Sequence, residues 1–313
     1  MDQEQAFLQA MLDNPRDLAT RLIFADWLEE RSDSRGALLR LTTLLTQETD
    51  QPNRPEKESL LRSLLEAGVQ PVGPFWTNAV GMKFAWVPPG VFLMGTPENQ
   101  PEREADETEH RVRLTKGLWL GLHPVTQAQW QVVLGNKPSR FRGVNLPVES
   151  VSWEDCQAFC TALRQWDGKR YELPTEAEWE YACRAGTMTP FHFGQALNGT
   201  QANCDGNYPH GTEDKGLDLG RTTVVGSYRP NAFGLHDMHG NVFEWCEDYY
   251  VEEKASDDVE DPVNLKSDRH DGRVIRGGSW HSSAYGCRSA HRDWRVPAYC
   301  YPYLGCRVCF RLD

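Results

Sequence analysis

Residues 276–310, RGGSWHSSAYGCRSAHRDWRVPAYCYPYLGCRVCF, hold the densest set of side chains able to do chemistry. Cys306 and Cys309 form a CxxC, with Cys300 close by. Thiolates suit soft metals and redox exchange, but no second CxxC completes a zinc site. Residues three apart on a strand face opposite sides, so this pair is expected to chelate poorly and to be structural. Scaffold-like words recur along the stretch: Arg276-Gly277-Gly278-Ser279-Trp280, Cys287-Arg288-Ser289-Ala290 and Leu304-Gly305. The gaps between them are filled with His, Ser, Tyr, Gly, Asp, Arg and Cys, and Tyr, Ser, Gly and Arg are materials of a contact surface. Elsewhere, His236 and His239 flank Asp237 at a spacing that suits a transition metal, although a structural role is preferred. Glu176, Glu178 and Glu180 sit at a helix start, where they favour the N-terminal dipole more than a catalytic carboxylate pair.

These residues need a scaffold, and 313 residues suffice for one large domain or two. Eleven Trp and 26 Gly point to turns and aromatic packing rather than a helical bundle. A formal charge of -12 argues against nucleic acid or an anionic membrane as partner. No apolar run reaches membrane-spanning length, and the acidic N-terminus does not read as a signal peptide. Nine cysteines without a secretion signal are expected as reduced thiols in the cytoplasm.

Residues 1–70 read as a small all-α module of four helices, with Asp17 capping the second. A Gly- and Pro-rich linker, residues 71–76, follows. From residue 77 the text reads as strands, beginning with a hairpin around Pro88-Pro89-Gly90, then an acidic surface loop over residues 97–110 and a strand over residues 111–120. Helices are expected after Thr126, Ser152 and Thr175. A long loop-rich region after Gly186 must be held by metals, aromatic clusters or packed turns. The acidic run over residues 252–261 reads as a solvated loop.

The motifs Gly81-Met82-Lys83-Phe84, Pro124-Val125-Thr126, Val151-Ser152-Trp153, Leu173-Pro174-Thr175-Glu176-Ala177-Glu178-Trp179-Glu180-Tyr181, Asn231-Ala232-Phe233-Gly234-Leu235, Gly240-Asn241-Val242-Phe243-Glu244-Trp245 and Arg276-Gly277-Gly278-Ser279-Trp280 come in a telling order. Over residues 77–313 they resemble the formylglycine-generating enzyme (sulfatase-modifying factor) family. The resemblance implies an α+β, loop-rich variant of the C-type lectin fold. The N-terminal text, above all Leu22-Ile23-Phe24-Ala25-Asp26-Trp27-Leu28-Glu29-Glu30, resembles a short helical repeat-companion module of planctomycete proteins, which brings no activity and leaves docking to a partner or capping of the main domain open.

The family resemblance implies structural Ca²⁺, a hard cation that takes oxygen ligands. Gly240, Asn241, Val242 and Glu244 match the metal loop, and Asn203, with the Cys204 carbonyl and Asp218, is expected as a second site. Family enzymes oxidise a peptide cysteine to formylglycine using O₂ and Cu(I) held by two thiolates. The position of the first thiolate is Ser282 here, and the second, Cys287, belongs to a neighbouring structural word, so copper is not expected and no catalytic residue is assigned. The gap residues are His281, Ser282, Ser283, Tyr285, Gly286, His291, Asp293, Arg295, Val296, Tyr299, Cys300, Tyr301, Pro302, Tyr303 and Cys306. Each is reachable from an Asn AAC codon by changing its adenines alone. The pattern resembles the variable proteins of diversity-generating retroelements, which implies a ligand-binding face for a protein or peptide, with variable region 276–310. The alternatives are a copper-dependent formylglycine-generating oxidase acting on a sulfatase peptide, and an interaction module that is not diversified.

Overall fold

The computed structural model describes residues 2–100, 102–252, 258–267 and 271–312. Part of the acidic run over residues 252–261 therefore lies outside the described residues. Four helices come first: α1 (Gln3–Asp13), α2 (Leu18–Glu29), α3 (Ser34–Leu45) and α4 (Arg54–Glu66). Asp17 caps α2 as its sequence predicts, accepting the Ala19 N–H at 2.9 Å. The expected linker ends inside a strand, because Phe75 and Trp76 already pair with Ala85 and Phe84.

Three small sheets follow. The first contains β1 (Phe75–Thr77), β2 (Lys83–Val87), β5 (Leu118–Gly121) and β11 (Cys309–Arg311), in the order β1-β2-β5-β11. The second contains β3 (Gly90–Met94), β4 (His110–Leu114) and β7 (Val259–Glu260), in the order β3-β4-β7. The third contains β6 (Phe243–Tyr249), β8 (Arg273–Arg276), β9 (Asp293–Arg295) and β10 (Leu304–Gly305), in the order β10-β6-β8-β9. The Pro88-Pro89-Gly90 turn does not close a hairpin. It sends β2 and β3 into different sheets, since prolines lack the N–H that a ladder needs. Likewise the strand expected over residues 111–120 breaks at Thr115–Gly117 into β4 and β5, again in different sheets.

Helices α5 (Gln127–Leu134), α6 (Trp153–Asp167) and α7 (Glu176–Arg184) begin at Thr126, Ser152 and Thr175, each with a reciprocal capping box. Two large cores result. One is aromatic: Phe84, Trp86, Trp119, Trp130, Phe159, Trp245 and Phe310 bury together, with Trp130 and Phe159 stacked at 5.0 Å. The other includes Leu38, Leu41, Leu45, Leu61 and Leu65 from α3 and α4, packed with Val87, Phe92, Trp179 and Tyr181. The helical module thus shares a core with the sheets. Polar contacts add direction: Arg54 Nη2 donates to the Gly186 carbonyl at 2.9 Å, and Met188 N–H donates to Glu58 at 3.0 Å.

A shared core predicts one cooperative unfolding transition for helices and sheets. Leu45→Ala should remove about 2–5 kcal/mol and move that transition without splitting it, measured by denaturant titration read through both tryptophan fluorescence and circular dichroism.

Candidate functional site

The C-terminal segment is held by arginines that almost never see water. Arg276, Arg288, Arg292 and Arg307 are 0%, 2%, 5% and 0% exposed. Arg276 donates to Glu180 of α7, to the Ala290 carbonyl at 2.9 Å and to the Ser289 carbonyl at 3.0 Å. Arg292 Nε reaches Glu176 at 2.7 Å. Arg288 grips Glu107 with both terminal nitrogens, at 2.8 and 2.7 Å. Arg307 Nη2 meets Glu244 of β6 at 2.8 Å, and the Trp179 indole donates to the same carboxylate at 2.7 Å. Glu176 and Glu180 are therefore ion-pair partners as well as helix-start acids. The stretch 97–110 is not simply a surface loop: Glu107 is 1% exposed and anchors Arg288. At Gly278, with φ 71, a side chain would run into Cys287 Sγ, so the paired glycine lets two backbone turns touch.

The gap residues sit differently from this frame. His281, Val296, Cys300 and Tyr301 are exposed, and Ser282, Ser283, Tyr285, His291, Asp293, Arg295, Tyr299, Pro302 and Tyr303 are half-buried. Tyr299 and Tyr301 stack at 4.4 Å, Tyr301 and Tyr303 lie 5.5 Å apart, and His281 lies 6.3 Å from Tyr303. Arg295 reaches over Tyr299 at 5.7 Å. These residues form one aromatic patch. Tyr285 and His291, 5.6 Å apart, form a second patch that leans on the loop before β4, where Tyr285 Oη donates to Glu104 at 2.8 Å. Two expected contact residues are corrected. Cys306 is 0% exposed, buried in the aromatic core because it follows β10 inward, and Gly286 is buried inside the 3-10 turn Ala284–Cys287.

Cys306 and Cys309 face opposite ways: Cys306 enters the aromatic core beside Cys156, and Cys309 enters the core shared with α3 and α4. Ser282 Oγ accepts the Ser279 N–H at 3.0 Å. Cys287 Sγ turns instead into a small apolar cluster with Phe191, Leu197, Cys204 and Ala284. A hydrogen bond with Cys204, with burial, pushes its thiol well above the usual range. A serine and a buried thiol turned toward another cysteine do not fit two-coordinate Cu(I). His239 is also structural. Its Nδ1 lies 2.8 Å from the Cys287 carbonyl, and burial pushes its pKa down to about 4. His236 bonds the Tyr228 carbonyl separately at 2.8 Å.

The expected calcium ligands divide. Asn241 Oδ1 accepts from Thr223 N at 3.0 Å and from Asn203 Nδ2 at 3.2 Å, so this side chain stitches two loops and does not present a free oxygen. Asp218 is exposed and accepts the Gly220 N–H at 2.9 Å. Two other places carry oxygen short of partners. Asn203 Oδ1 is buried without a hydrogen bond, as are the Thr222 and Thr223 hydroxyls. Asp237, which sequence reading assigned no metal role, is 7% exposed, holds φ 57 and accepts the Gly226 N–H at 2.7 Å. Burial pushes its pKa up to about 6, with Glu244 adding like charge and Arg307 opposing. A buried carboxylate with one N–H donor has oxygen available for a hard cation, whereas both Glu244 oxygens are taken by Arg307 and the Trp179 indole. Separately, Glu104, Glu107 and His291 bring ligand-type atoms within 4.8 Å of one another, but Arg288 and Thr96 already occupy Glu107.

A cavity of about 640 Å³ opens beside Tyr285 and Ser283, lined also by Glu102, Tyr208, His210 and Thr212. The sequence marks Ser283 and Tyr285 as gap residues, but no local signal marks Glu102, Tyr208, His210 or Thr212, which come from other loops.

Breaking the frame should be costly. Glu107→Gln leaves Arg288 without its charge partner and should cost about 3–5 kcal/mol, checked by denaturant titration. Burial alone would raise the Glu107 pKa, but Arg288, with Thr96, holds it below the usual carboxylate range. Its folded value lies below its unfolded value, so its contribution is complete above about pH 4.3 and is lost as the pH falls through the folded value. Wild type should therefore lose more stability than Glu107→Gln as the pH falls below about 4.

Residues 68–312 match the family model described as the sulfatase-modifying factor enzyme 1-like domain. The formylglycine-generating enzyme of Mus musculus is 36% identical over 207 residues, covering 63% of this chain and 52% of that protein. The inactive C-alpha-formylglycine-generating enzyme 2 of Bos taurus is 35% identical over 182 residues, covering 57% of this chain and 51% of that protein. The chain thus spans about half the length of these relatives. Among solved structures, Treponema denticola variable protein 1 superposes with a TM-score of 0.64 at 26% identity, covering 77% of this chain and 100% of that one. The likeness confirms the formylglycine-generating-enzyme type of lectin fold preceded by helices. Because the matched span runs from the end of α4 to Leu312 and includes every element of the arginine frame, the chain belongs to the sulfatase-modifying factor enzyme 1-like family.

Proposed function

We propose that this protein is a non-catalytic binder that presents a variable C-terminal face to a protein or peptide partner. The observation carrying the reading is the division of residues 276–310 into buried frame and accessible gap. Ala284, Cys287, Arg288, Ser289, Ala290, Arg292, Leu304 and Gly305 are buried, while most gap residues reach solvent. Tyrosine and histidine give rigid contact area at low entropic cost, and a clustered aromatic patch marks a partner site. A relative named as a formylglycine-generating enzyme and one named as inactive are almost equally similar, at 36% and 35% identity, so overall similarity does not choose between oxidase and binder. Ser282 and the inward-turned Cys287 support the binder. The likeness to a Treponema denticola variable protein supports diversification of the gap codons. The buried thiols support a reducing, cytoplasmic setting.

The direct test is an anaerobic Cu(I) titration followed by incubation with a sulfatase-type cysteine peptide and O₂. No stoichiometric tight copper and no aldehyde product are expected, and either one would overturn the reading. Ser282→Cys should also fail to create a copper site, because Cys287 Sγ points toward Cys204. At the genetic level, a near-copy of the codons for residues 276–310 with adenines at the gap positions, beside a reverse transcriptase gene, is expected; a locus without both removes the diversification claim.

We further propose structural calcium held by Asp237 with the Gly240 and Val242 carbonyls, and a second ion near Asn203; Glu244 stays with Arg307. The bound ion supplies positive charge to a buried acidic loop and closes it. Binding only the folded state at 100 times Kd adds about 2.7 kcal/mol, which raises the melting temperature by roughly 5 °C. Calorimetry should show this rise with CaCl₂, its reversal by chelator, and its loss in Asp237→Asn. A wild-type melting temperature indifferent to millimolar calcium sinks the assignment.

A further inference from the structure

The helical module meets the sheets around an arginine that no acid neutralises. Arg21, on α2, is 7% exposed. Its Nη2 donates to the Pro15 carbonyl, and no ion pair involves it among the described residues. Arg276, Arg288, Arg292 and Arg307, equally buried, each hold a carboxylate. Asp17, the acid near it in sequence, is committed to the Ala19 N–H at 2.9 Å and the Thr20 hydroxyl at 2.6 Å. Burial accordingly pushes the Arg21 pKa down to about 10, with Tyr181 and Asp17 only partly opposing. On the inner side Arg21 lines a cavity of about 40 Å³ between α3 and the strand-leading segment 71–75, room for water only.

On the outer side Arg21 lines a second cavity, of about 300 Å³, at the seam between α2 and the β2–β3 turn. Arg16 and Arg113 line the same cavity, with Gln47 as a further polar group. Leu18, Pro88 and Leu114 belong to its wall, and no acidic side chain is among its lining residues. Thr115, which lines the cavity, is bonded to Asp261 through both carboxylate oxygens. Three arginines line one cavity of mixed polar and apolar wall, Arg16 giving one Nη2 proton to the Leu312 carbonyl at 2.9 Å, in a chain whose formal charge is -12. Guanidinium forks match the planar geometry of carboxylates and the oxygens of phosphates. The volume is at the lower end for small-molecule sites.

We propose that this seam is a binding site for a small organic oxyanion, a carboxylate or phosphate joined to an apolar group about the size of one ring, gripped by Arg21, Arg16 and Arg113. The apolar group lies against Leu18, Pro88 and Leu114, and the charge completes Arg21. The ligand would tie α2 to the sheets, on the side of the molecule served by the helical module rather than the C-terminal face.

The test uses the full chain and isothermal titration with phenyl phosphate, benzoate and inorganic phosphate, with benzamide as the uncharged control. Saturable binding of phenyl phosphate or benzoate is expected, weaker for inorganic phosphate and absent for benzamide. A peptide ending in phenylalanine, compared as free acid and as C-terminal amide, separates a chain-terminus source from a free metabolite: acid-only binding assigns the former, and failure of both peptides with binding of the small probes assigns the latter. Arg16→Gln and Arg113→Gln change exposed residues and should leave the fold intact. Together they should weaken binding at least about tenfold, or 1.4 kcal/mol. Arg21→Lys, which keeps charge but loses the fork, should weaken it as well. Tyr301→Ala on the C-terminal face should leave it unchanged. Absence of saturable binding by every probe, or binding unaffected by Arg16→Gln with Arg113→Gln, overturns the proposal even if Arg21 variants fail to fold.

Discussion

Everything at the C-terminal face depends on burying four guanidinium groups. An unpaired buried charge costs several kcal/mol, so Arg276, Arg288, Arg292 and Arg307 can occupy the interior only if carboxylates arrive from elsewhere. They come from three places: α7 supplies Glu176 and Glu180, the loop before β4 supplies Glu107, and β6 supplies Glu244. Each pair is directional as well as attractive, since a fork fixes both angle and register. The constraint runs both ways. The loop before β4 stays in place because Arg288 holds Glu107, and the start of α7 is turned toward β8 because Arg276 and Arg292 need its acids. A chain poor in regular structure thereby obtains fixed positions for long loops without a continuous large sheet.

That division of labour separates two kinds of position within one segment. The frame residues bear the desolvated charges and the close glycine contacts, so a change there leaves a charge or a carbonyl orphaned. Some gap side chains, such as Tyr301, Val296 and His281, are exposed, while Tyr299 and Tyr303 pack partly against the aromatic core. Tyr301 and Val296 can change type with effects near ±0.5 kcal/mol expected for surface positions. Cys306 and Gly286 are the exceptions that mark the limit. Both lie in gaps by sequence but pack inward, where size is constrained by the aromatic core and by the turn. Even among the accessible gap residues the frame takes some contacts, since Arg288 lies 4.1 Å over the Tyr285 ring.

Much of this was legible in the sequence. Thr126, Ser152 and Thr175 announced three helices because capping is local chemistry. The sequence reads the CxxC as part of one strand, but β10 ends at Gly305 and β11 begins at Cys309 in another sheet, so Cys306 lies between strands and the two thiols enter different cores. The frame words Arg276-Gly277-Gly278, Cys287-Arg288-Ser289-Ala290 and Leu304-Gly305 stood out, and they are buried. What stayed hidden was non-local. Arg288 and Glu107 are separated by 181 positions, and nothing in the text of residues 97–110 distinguishes a solvated acid from a buried one. The partners of Asn241 were hidden for a related reason: its amide offers oxygen on a tight turn, and only the bonds to Thr223 and Asn203 show that it is already committed. The Pro88-Pro89-Gly90 turn looked like a hairpin because a turn signal specifies a reversal, not the sheet in which the next strand pairs.

The frame also bears on whether copper chemistry has a place here. A two-thiolate site needs both sulfurs on the surface side of the segment, facing one another. Cys287 is instead on the frame side: Gly278 packs against its sulfur, its carbonyl meets His239, and Arg288 follows it directly into Glu107. Turning the thiol outward would disturb the glycine turn and the arginine anchor together. A single serine-to-cysteine change in the gap can restore one ligand but cannot reach the other, because the second lies in the part of the segment that holds the fold. Loss of catalysis in such a chain would require no loss of scaffold. Of the two positions a thiolate site asks for, Ser282 is a gap residue, while Cys287, like the arginines that keep the face in position, is bound into the frame whatever the face binds.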